Sequence, residues 1–292
     1  MNRKTKNQVK FIMAELWSLF ARKNTERMTI PILCYHSINS RDSYEADPLS
    51  PEYFEAHLDY LSQNYNVIPL DQAANYIERK QCDVDNPVVI TFDDGYVDNY
   101  EVAFPLLKKF RLPATIFVVT GFVNRNLLLI DDPNFGPLSW DQIREMDMHG
   151  LVTFGAHSDT HRILSNISDA EVQNEIIMSK SILEDELGHD IDLFAYPNGQ
   201  MSDIPPSAIN VVEEKSFRCA CSTFWRCSQK HDEKWVLNRV MISGGDTLDV
   251  FKYKVFGYFD YIYYLQKIKF IIQALFRSRI KHKVKDTGSY GE

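Results

Sequence analysis

The stretch Pro87-Val-Val-Ile-Thr-Phe92-Asp93-Asp94-Gly95-Tyr96 decides how the rest of the chain is read. Pro87 to Phe92 is a short, β-branched apolar run, which predicts a buried strand. It ends abruptly in two adjacent carboxylates followed by a glycine. Neighbouring residues of a strand point to opposite faces, but a turn at the strand end can aim Asp93 and Asp94 into one site. Gly95 permits that turn without steric cost. Two carboxylates at the mouth of a buried strand repel each other and resist desolvation. They call for a positive partner, and a divalent metal is the economical one.

A second stretch supplies further donors. Residues 151–161 read Leu-Val-Thr-Phe-Gly-Ala-His-Ser-Asp-Thr-His. Again a short apolar strand runs into polar chemistry. A spacing of four predicts His157 and His161 on one face of a helical turn, close enough to share a metal ion. Two histidines plus one aspartate leave a coordination position for water, the pattern of a catalytic rather than a structural metal.

Together, Thr-Phe-Asp-Asp-Gly-Tyr at 91–96 and His-Ser-Asp-Thr-His at 157–161 resemble the polysaccharide deacetylase family, the NodB-homology or carbohydrate esterase 4 type. Pro31-Ile-Leu-Cys-Tyr-His-Ser-Ile38 resembles the branch acting on bacterial extracellular poly-N-acetylglucosamine. The similarity runs from about Pro31 to about Ile242. The resemblance implies a distorted (β/α)7-type barrel, Asp93 as catalytic base, and Asp94, His157 and His161 as metal ligands. It implies Zn²⁺ as cofactor, while a His₂Asp set also suits Co²⁺, Ni²⁺ or Mn²⁺. Two departures stand out. Many relatives carry Arg-x-Pro-Tyr where this chain has Phe194-Ala195-Tyr196-Pro197-Asn198-Gly199, so Ala195 stands where the arginine that orients the catalytic aspartate is expected. The family's late Leu-x-His acid has no clear counterpart either; Leu237-Asn238-Arg239 occupies its region. His36, at the end of the first strand, is then the candidate general acid. Tyr196, Pro197 and Asn198 are candidates for the substrate and oxyanion side, a backbone N–H after Pro197 serving whatever the side chain. Arg239 is a candidate for binding substrate or orienting a carboxylate, since it does not readily give up a proton.

Composition is that of a globular chain: 45% hydrophobic and 25% charged over 292 residues. The net charge of −8 is unevenly spread. Residues 1–27 carry +5 and 252–292 carry +6, leaving −19 on the body between. An acidic body of this kind argues against a nucleic-acid partner. Five cysteines without a CxxC pair do not indicate a disulfide framework. Cys219, Cys221 and Cys227 pose a weak second metal site, against which stands a plain core reading. No signal peptide or membrane-spanning run is evident, so the expected location is cytoplasmic.

Helical spacing of Val9, Ile12, Met13, Leu16 and Phe20 predicts an amphipathic helix over 6–22. Ser50, Ser139 and Ser168 read as N-caps, the last two with capping boxes. Asp71 reads as the cap of another helix, and Pro105 as bending or splitting a helix over 96–110. Residues 120–138 read as an irregular loop at the barrel mouth. From Phe251 to Ile280 a basic, aromatic-rich amphipathic helix is predicted, either covering the barrel or contacting an anionic membrane through 252–285; the tail from Lys281 reads as disordered. The expected division is 1–29, an N-terminal helix; 30–250, a NodB-like catalytic domain of about seven strands; and 251–292, a C-terminal helix and tail. The function expected is metal-dependent removal of N-acetyl groups from amino sugars in a poly- or oligosaccharide or glycan precursor. The rivals are a deacetylase or deformylase of a lipid-linked sugar at the inner membrane face, and a non-catalytic sugar-binding barrel.

Overall fold

The computed structural model describes residues 13–17, 28–41, 43, 46–125, 132 and 135–287, with backbone alone from 276 onward. Its strands are β1 (Thr29–Ile30), β2 (Ile32–Tyr35), β3 (Asn66–Val67), β4 (Pro87–Phe92), β5 (Ala114–Val118), β6 (Val152–Ala156), β7 (Leu193–Ala195), β8 (Cys219–Trp225), β9 (Ser228–Gln229) and β10 (Leu237–Met241). Helices α1 (Pro51–Asn64), α2 (Leu70–Arg79), α3 (Phe104–Phe110), α4 (Thr120–Arg125), α5 (Trp140–His149), α6 (Asp169–Leu187) and α7 (Pro206–Glu214) alternate with them, and α8 (Leu248–Val255) and α9 (Tyr261–Thr287) follow.

Seven parallel strands run in the order β2-β10-β8-β7-β6-β5-β4, and β2 pairs with β4 to close the barrel. The closing register sets Ile32 opposite Val89 and Tyr35 opposite Phe92. Short β3 leans on the first residues of β4 from outside the ring. This is the NodB-type distorted (β/α)7 barrel. The β8 strand is longer than the apolar run Phe217–Cys221 suggests: it continues through Ser222 and Thr223 to Trp225, because polar residues at the mouth are still paired.

Strand alternation divides the core in two. Ile32, Val89, Phe117, Leu193, Cys219, Cys221 and Leu237 pack inside the barrel, where Leu70, Ala73, Ala74 and Ile77 of α2 join them. Leu33, Ile90, Phe92, Ile116, Phe154 and Phe194 point outward and meet the helices. The period of two fixes this division. Cys219 and Cys221 are therefore barrel filling, not a metal site. On β6 the interior position is Gly155, where an added Cβ would lie 2.6 Å from the Phe117 ring.

Some local expectations hold and others change. Ser139 and Ser168 make both halves of their capping boxes, and Ser50 caps α1 with Pro51 at N1. Pro69, not Asp71, stands at the start of α2; Asp71 lies in its first turn. The predicted 96–110 helix splits into a π-turn over Asn99–Ala103 and α3, with Pro105 in the first turn of α3. A π-turn accommodates the missing proline N–H by shifting the hydrogen-bond ladder. The predicted loop 120–138 opens with α4; Asp131 and Asn134 lie outside the described residues.

The expected boundary at 250/251 cuts through a helix. Phe251 and Val255 of α8 belong to the main core, and Phe251 stacks on His57 with ring centroids 3.8 Å apart. His57 Nε2 bonds the Asp246 carbonyl at 3.1 Å, so the segment after β10 is locked to α1. Gly257, in a left-handed conformation, separates α8 from α9. The tail expected to be disordered is helical through Thr287. At the other end, residues 13–17 are helical, but Ala14 is the buried residue while Met13 and Leu16 are 42% and 51% exposed, the reverse of the expected face. Val9, Ile12 and Phe20 lie outside the described residues. Among the described residues no helix is long and apolar enough to cross a membrane.

Candidate active site

The site forms where the barrel strands end. On β4 the alternation that turns Val89 and Thr91 inward also turns Asp93 inward, one residue past the strand. Asp94 then takes φ 74° and Gly95 φ 73°. Two consecutive left-handed residues bend the chain sharply, which lets both carboxylates serve one site. Asp94 is the strained member, because its Cβ disfavours this region by about 1–2 kcal/mol. Ser158 (φ 60°), His161 (φ 57°) and Asn198 (φ 56°) are left-handed as well. Strain of this kind collects at sites whose geometry the surroundings impose.

His157 and His161 do come together, with ring centroids 5.0 Å apart, but not on a helical turn. Residues 157–161 form an irregular turn whose two left-handed residues swing His161 back toward His157. His157 Nε2 lies 3.5 Å and His161 Nε2 3.4 Å from Asp94 Oδ1. His157 Nδ1 lies 2.8 Å from the Ala195 carbonyl. A carbonyl only accepts, so Nδ1 carries the proton and Nε2 presents its lone pair to Asp94. Burial disfavours charge on both rings, but nearby Asp93 and Asp94 outweigh it at His157, whose pKa rises; at His161 burial prevails over Asp94 and the pKa falls.

This trio fits a divalent cation on its own chemistry. Two imidazole nitrogens and one carboxylate oxygen lie within 4.8 Å of one another. One imidazole is held in the ligating tautomer by a backbone carbonyl, as metal-bound histidines usually are. Cys34, His36 and Asp93 form a second close group. It fits a cation poorly. Burial pushes the Cys34 thiol well up, away from the thiolate a metal needs, and Arg239 already holds both oxygens of Asp93.

Arg239 resolves the first departure from the family pattern. It projects from β10 into the barrel, fully buried. Its Nη1 and Nη2 each donate to Asp93 at 2.6 Å, a bidentate pair; Nε donates to the Ser222 carbonyl at 2.8 Å. An arginine from another strand thus holds Asp93, while Ala195, where the arginine was expected, faces the same interior. Burial opposes the charge on Asp93, but Arg239 and then His157 hold its carboxyl well below the usual carboxylate range. Arg239 is fully buried and does not line the cavity, so of its two expected roles the geometry supports orienting a carboxylate. Cys34 Sγ adds a 3.4 Å contact to Asp93 Oδ2.

A cavity of about 610 Å³ opens over this group. Asp93, Asp94, His157, His161, His36 and Asn198 line it, together with Tyr96, Gln200, Thr223, Trp225, Met241 and Gln266. Tyr196 and Pro197 do not. Tyr196 is buried and donates its hydroxyl to the Trp235 carbonyl at 2.9 Å, so it braces the turn that carries Asn198. Sequence reasoning missed Trp225 and Gln266. Trp225 sits at the end of β8, a position a longer strand assignment would have flagged; nothing in the sequence points to Gln266, which comes from α9 and accepts from the Trp225 N–H at 2.9 Å.

A closed parallel barrel with an Asp-Asp pair, two histidines and a buried arginine around an open cavity is the architecture of a hydrolase that works at strand ends. Residues 80–219 match the polysaccharide deacetylase family. The chain is 27% identical over 224 residues to YxkH of Bacillus subtilis (strain 168), covering 76% of this chain and 75% of that one. It is 26% identical over 204 residues to the poly-beta-1,6-N-acetyl-D-glucosamine N-deacetylase of Staphylococcus aureus (strain MSSA476), covering 67% and 68%. The fold resembles that of the Streptococcus pyogenes deacetylase PplD in complex with acetate, with a TM-score of 0.69, 22% identity, and 78% and 99% coverage. The match over residues 80–219 and these relatives make this barrel similar to the polysaccharide deacetylases, whose N-deacetylases are hydrolases of amide bonds.

Proposed function

We propose that this enzyme hydrolyses N-acetyl groups from amino sugars in a poly- or oligosaccharide, with a divalent cation, Zn²⁺ first among candidates, held by Asp94, His157 and His161. The observation that carries the reading is Asp93, held from behind by Arg239, beside the Asp94–His157–His161 trio at the floor of one open cavity. A cation held there would acidify a water and polarise the acetyl carbonyl. Asp93, kept ionised and fixed in orientation by Arg239, accepts the proton of the attacking water. The acetyl carbon becomes tetrahedral, and the backbone N–H of Asn198 donates to the oxygen that gains charge. His36 gives a proton to the sugar nitrogen as the C–N bond breaks. Acetate and a free amine leave. A ring nitrogen of His36 and a carboxylate oxygen of Asp93 lie within 4.8 Å of each other, a gap that one water can bridge for proton relay.

The intact set, with an arginine restored from β10, favours catalysis over a non-catalytic sugar-binding barrel. Acetate release from poly-N-acetylglucosamine, chito-oligosaccharides and a polyprenol-linked N-acetyl amino sugar, measured with metal-reconstituted protein, tests the reading. Release from at least one that disappears with chelator is expected. Absence of release from all three, with metal bound, would overturn it.

A further inference from the structure

Helix α9 carries its apolar stripe on the wrong side for a helix that covers a barrel. Tyr264, Leu265, Ile268, Ile271 and Ile272 recur at i, i+1, i+4, i+7 and i+8, which is one face at 3.6 residues per turn. Each is between 45% and 55% exposed, Tyr264 at the edge where its ring meets Trp17 with centroids 5.5 Å apart. Gln266, which bonds the backbone of β8, lies about 160° around the helix from the centre of that stripe. The helix therefore holds the barrel with a polar residue and offers its hydrophobic face outward.

Charge decides what such a face meets. Residues 261–287 hold seven Lys/Arg against Asp286 alone, a net of +6. Lys267 and Lys269 sit about 100° to either side of the stripe, where lysine stems lie along an apolar surface with ammonium groups in the headgroup layer. A second copy of the chain, packed stripe to stripe, would set one +6 helix against another. No described helix is apolar enough to cross a bilayer. An apolar face with flanking lysines and aromatics suits lying in the interface of an anionic membrane. The root of α9 is aromatic too, with Tyr258, Tyr261 and Ile262 in a cluster that Trp17 joins.

We infer that α9 docks this protein on an anionic lipid bilayer through Tyr264, Leu265, Ile268, Ile271 and Ile272. The inference stands apart from the chemistry proposed above. It has one consequence for it: Gln266, on the opposite face of the same helix, lines the cavity, so docking holds the site about one helix diameter from the lipid surface. Membrane-tethered glycan would then reach the site more readily than glycan free in solution.

Sedimentation of the full chain with vesicles of phosphatidylcholine containing about one-third phosphatidylglycerol tests the docking, with pure phosphatidylcholine vesicles alongside. The anionic vesicles should bind at least ten-fold more tightly, and rising salt should release the protein. The double variant Ile268→Glu with Ile272→Glu replaces exposed residues and should lose binding while its melting temperature stays within a few degrees. Lys267→Glu with Lys269→Glu should weaken binding to anionic vesicles alone. Equal binding by the double isoleucine variant would overturn the inference. So would failure to bind anionic vesicles, including the case in which the chain elutes as a dimer that the isoleucine variant dissociates.

Discussion

Asp93 and Arg239 divide the labour of one residue pair. In the proposed mechanism the aspartate meets the water; the arginine holds the aspartate, and only the aspartate lines the cavity. Removing the buried guanidinium strands a buried carboxylate, which costs about 3–5 kcal/mol. Arg239→Ala should therefore lower stability by an amount of that order in denaturant titrations. Arg239→Lys keeps the charge but loses the planar fork. It should fold, and its acetate release should fall by about 10²-fold or more, with kcat affected more than KM because Arg239 does not touch the cavity. At this scale the sequence was most legible where the site is local. Asp93, Asp94, His157 and His161 announce themselves because each pair lies within five residues and at a strand end. Arg239 was named for either of two roles, orienting a carboxylate or binding substrate, and the sequence did not say which carboxylate. Its partner lies 146 positions away, and only barrel closure shows which way the alternation of β10 turns it.

Elements rather than residues set where the strands end. Apolar runs found the barrel strands, and capping boxes found the starts of α5 and α6, since both signals are local. The C-terminal reach of β8 was not legible, because its last residues are polar and paired at the mouth. The turn at 157–161 was misread as helical, since a spacing of four does not distinguish a helical turn from an irregular one closed by left-handed residues. Gly155 gives a direct test of barrel packing. Gly155→Ala would drive a Cβ to 2.6 Å from Phe117 and 2.9 Å from the Leu193 carbonyl. Overpacking of this kind costs about 1–3 kcal/mol, read as a lower denaturation midpoint. The lock between α1 and α8 carries a pH dependence. Burial lowers the pKa of His57 from 6.5 to about 3. The folded state thus holds His57 neutral while the unfolded chain takes up a proton once the pH is below 6.5. Stability is full above that point and is lost as pH falls toward about 3, by up to about 1.4 kcal/mol per pH unit. His57→Phe should flatten that acid slope relative to the unaltered protein, measured as denaturation free energy between pH 4 and 7 (about the range in which the two states differ). An unchanged slope would show that His57 does not carry it.

Across the whole molecule, charge is segregated: an acidic body of −19 between ends of +5 and +6. The family resemblance made the barrel legible, and helical spacing made α9 legible as a helix. Which face of α9 would be covered was not, because that depends on how Gly257 turns the chain after α8. A cation at the proposed site would tie the end of β4 to the turn after β6. A cation at 100 times its dissociation constant, bound only by the folded state, stabilises by about 2.7 kcal/mol. Zinc addition should accordingly raise the melting temperature by several degrees, and His161→Ala should abolish the rise. The dependence should weaken as pH falls through the histidine range, since protonated imidazoles do not ligate.

The division between Asp93 and the trio beside it is tested most directly by measuring bound metal and acetate release together in two variants. Asp93→Asn should keep its metal and lose acetate release by about 10²–10⁴-fold. His161→Ala should lose both. Full acetate release from Asp93→Asn, with metal bound, would contradict the assignment of Asp93 as the base and with it the account of the site.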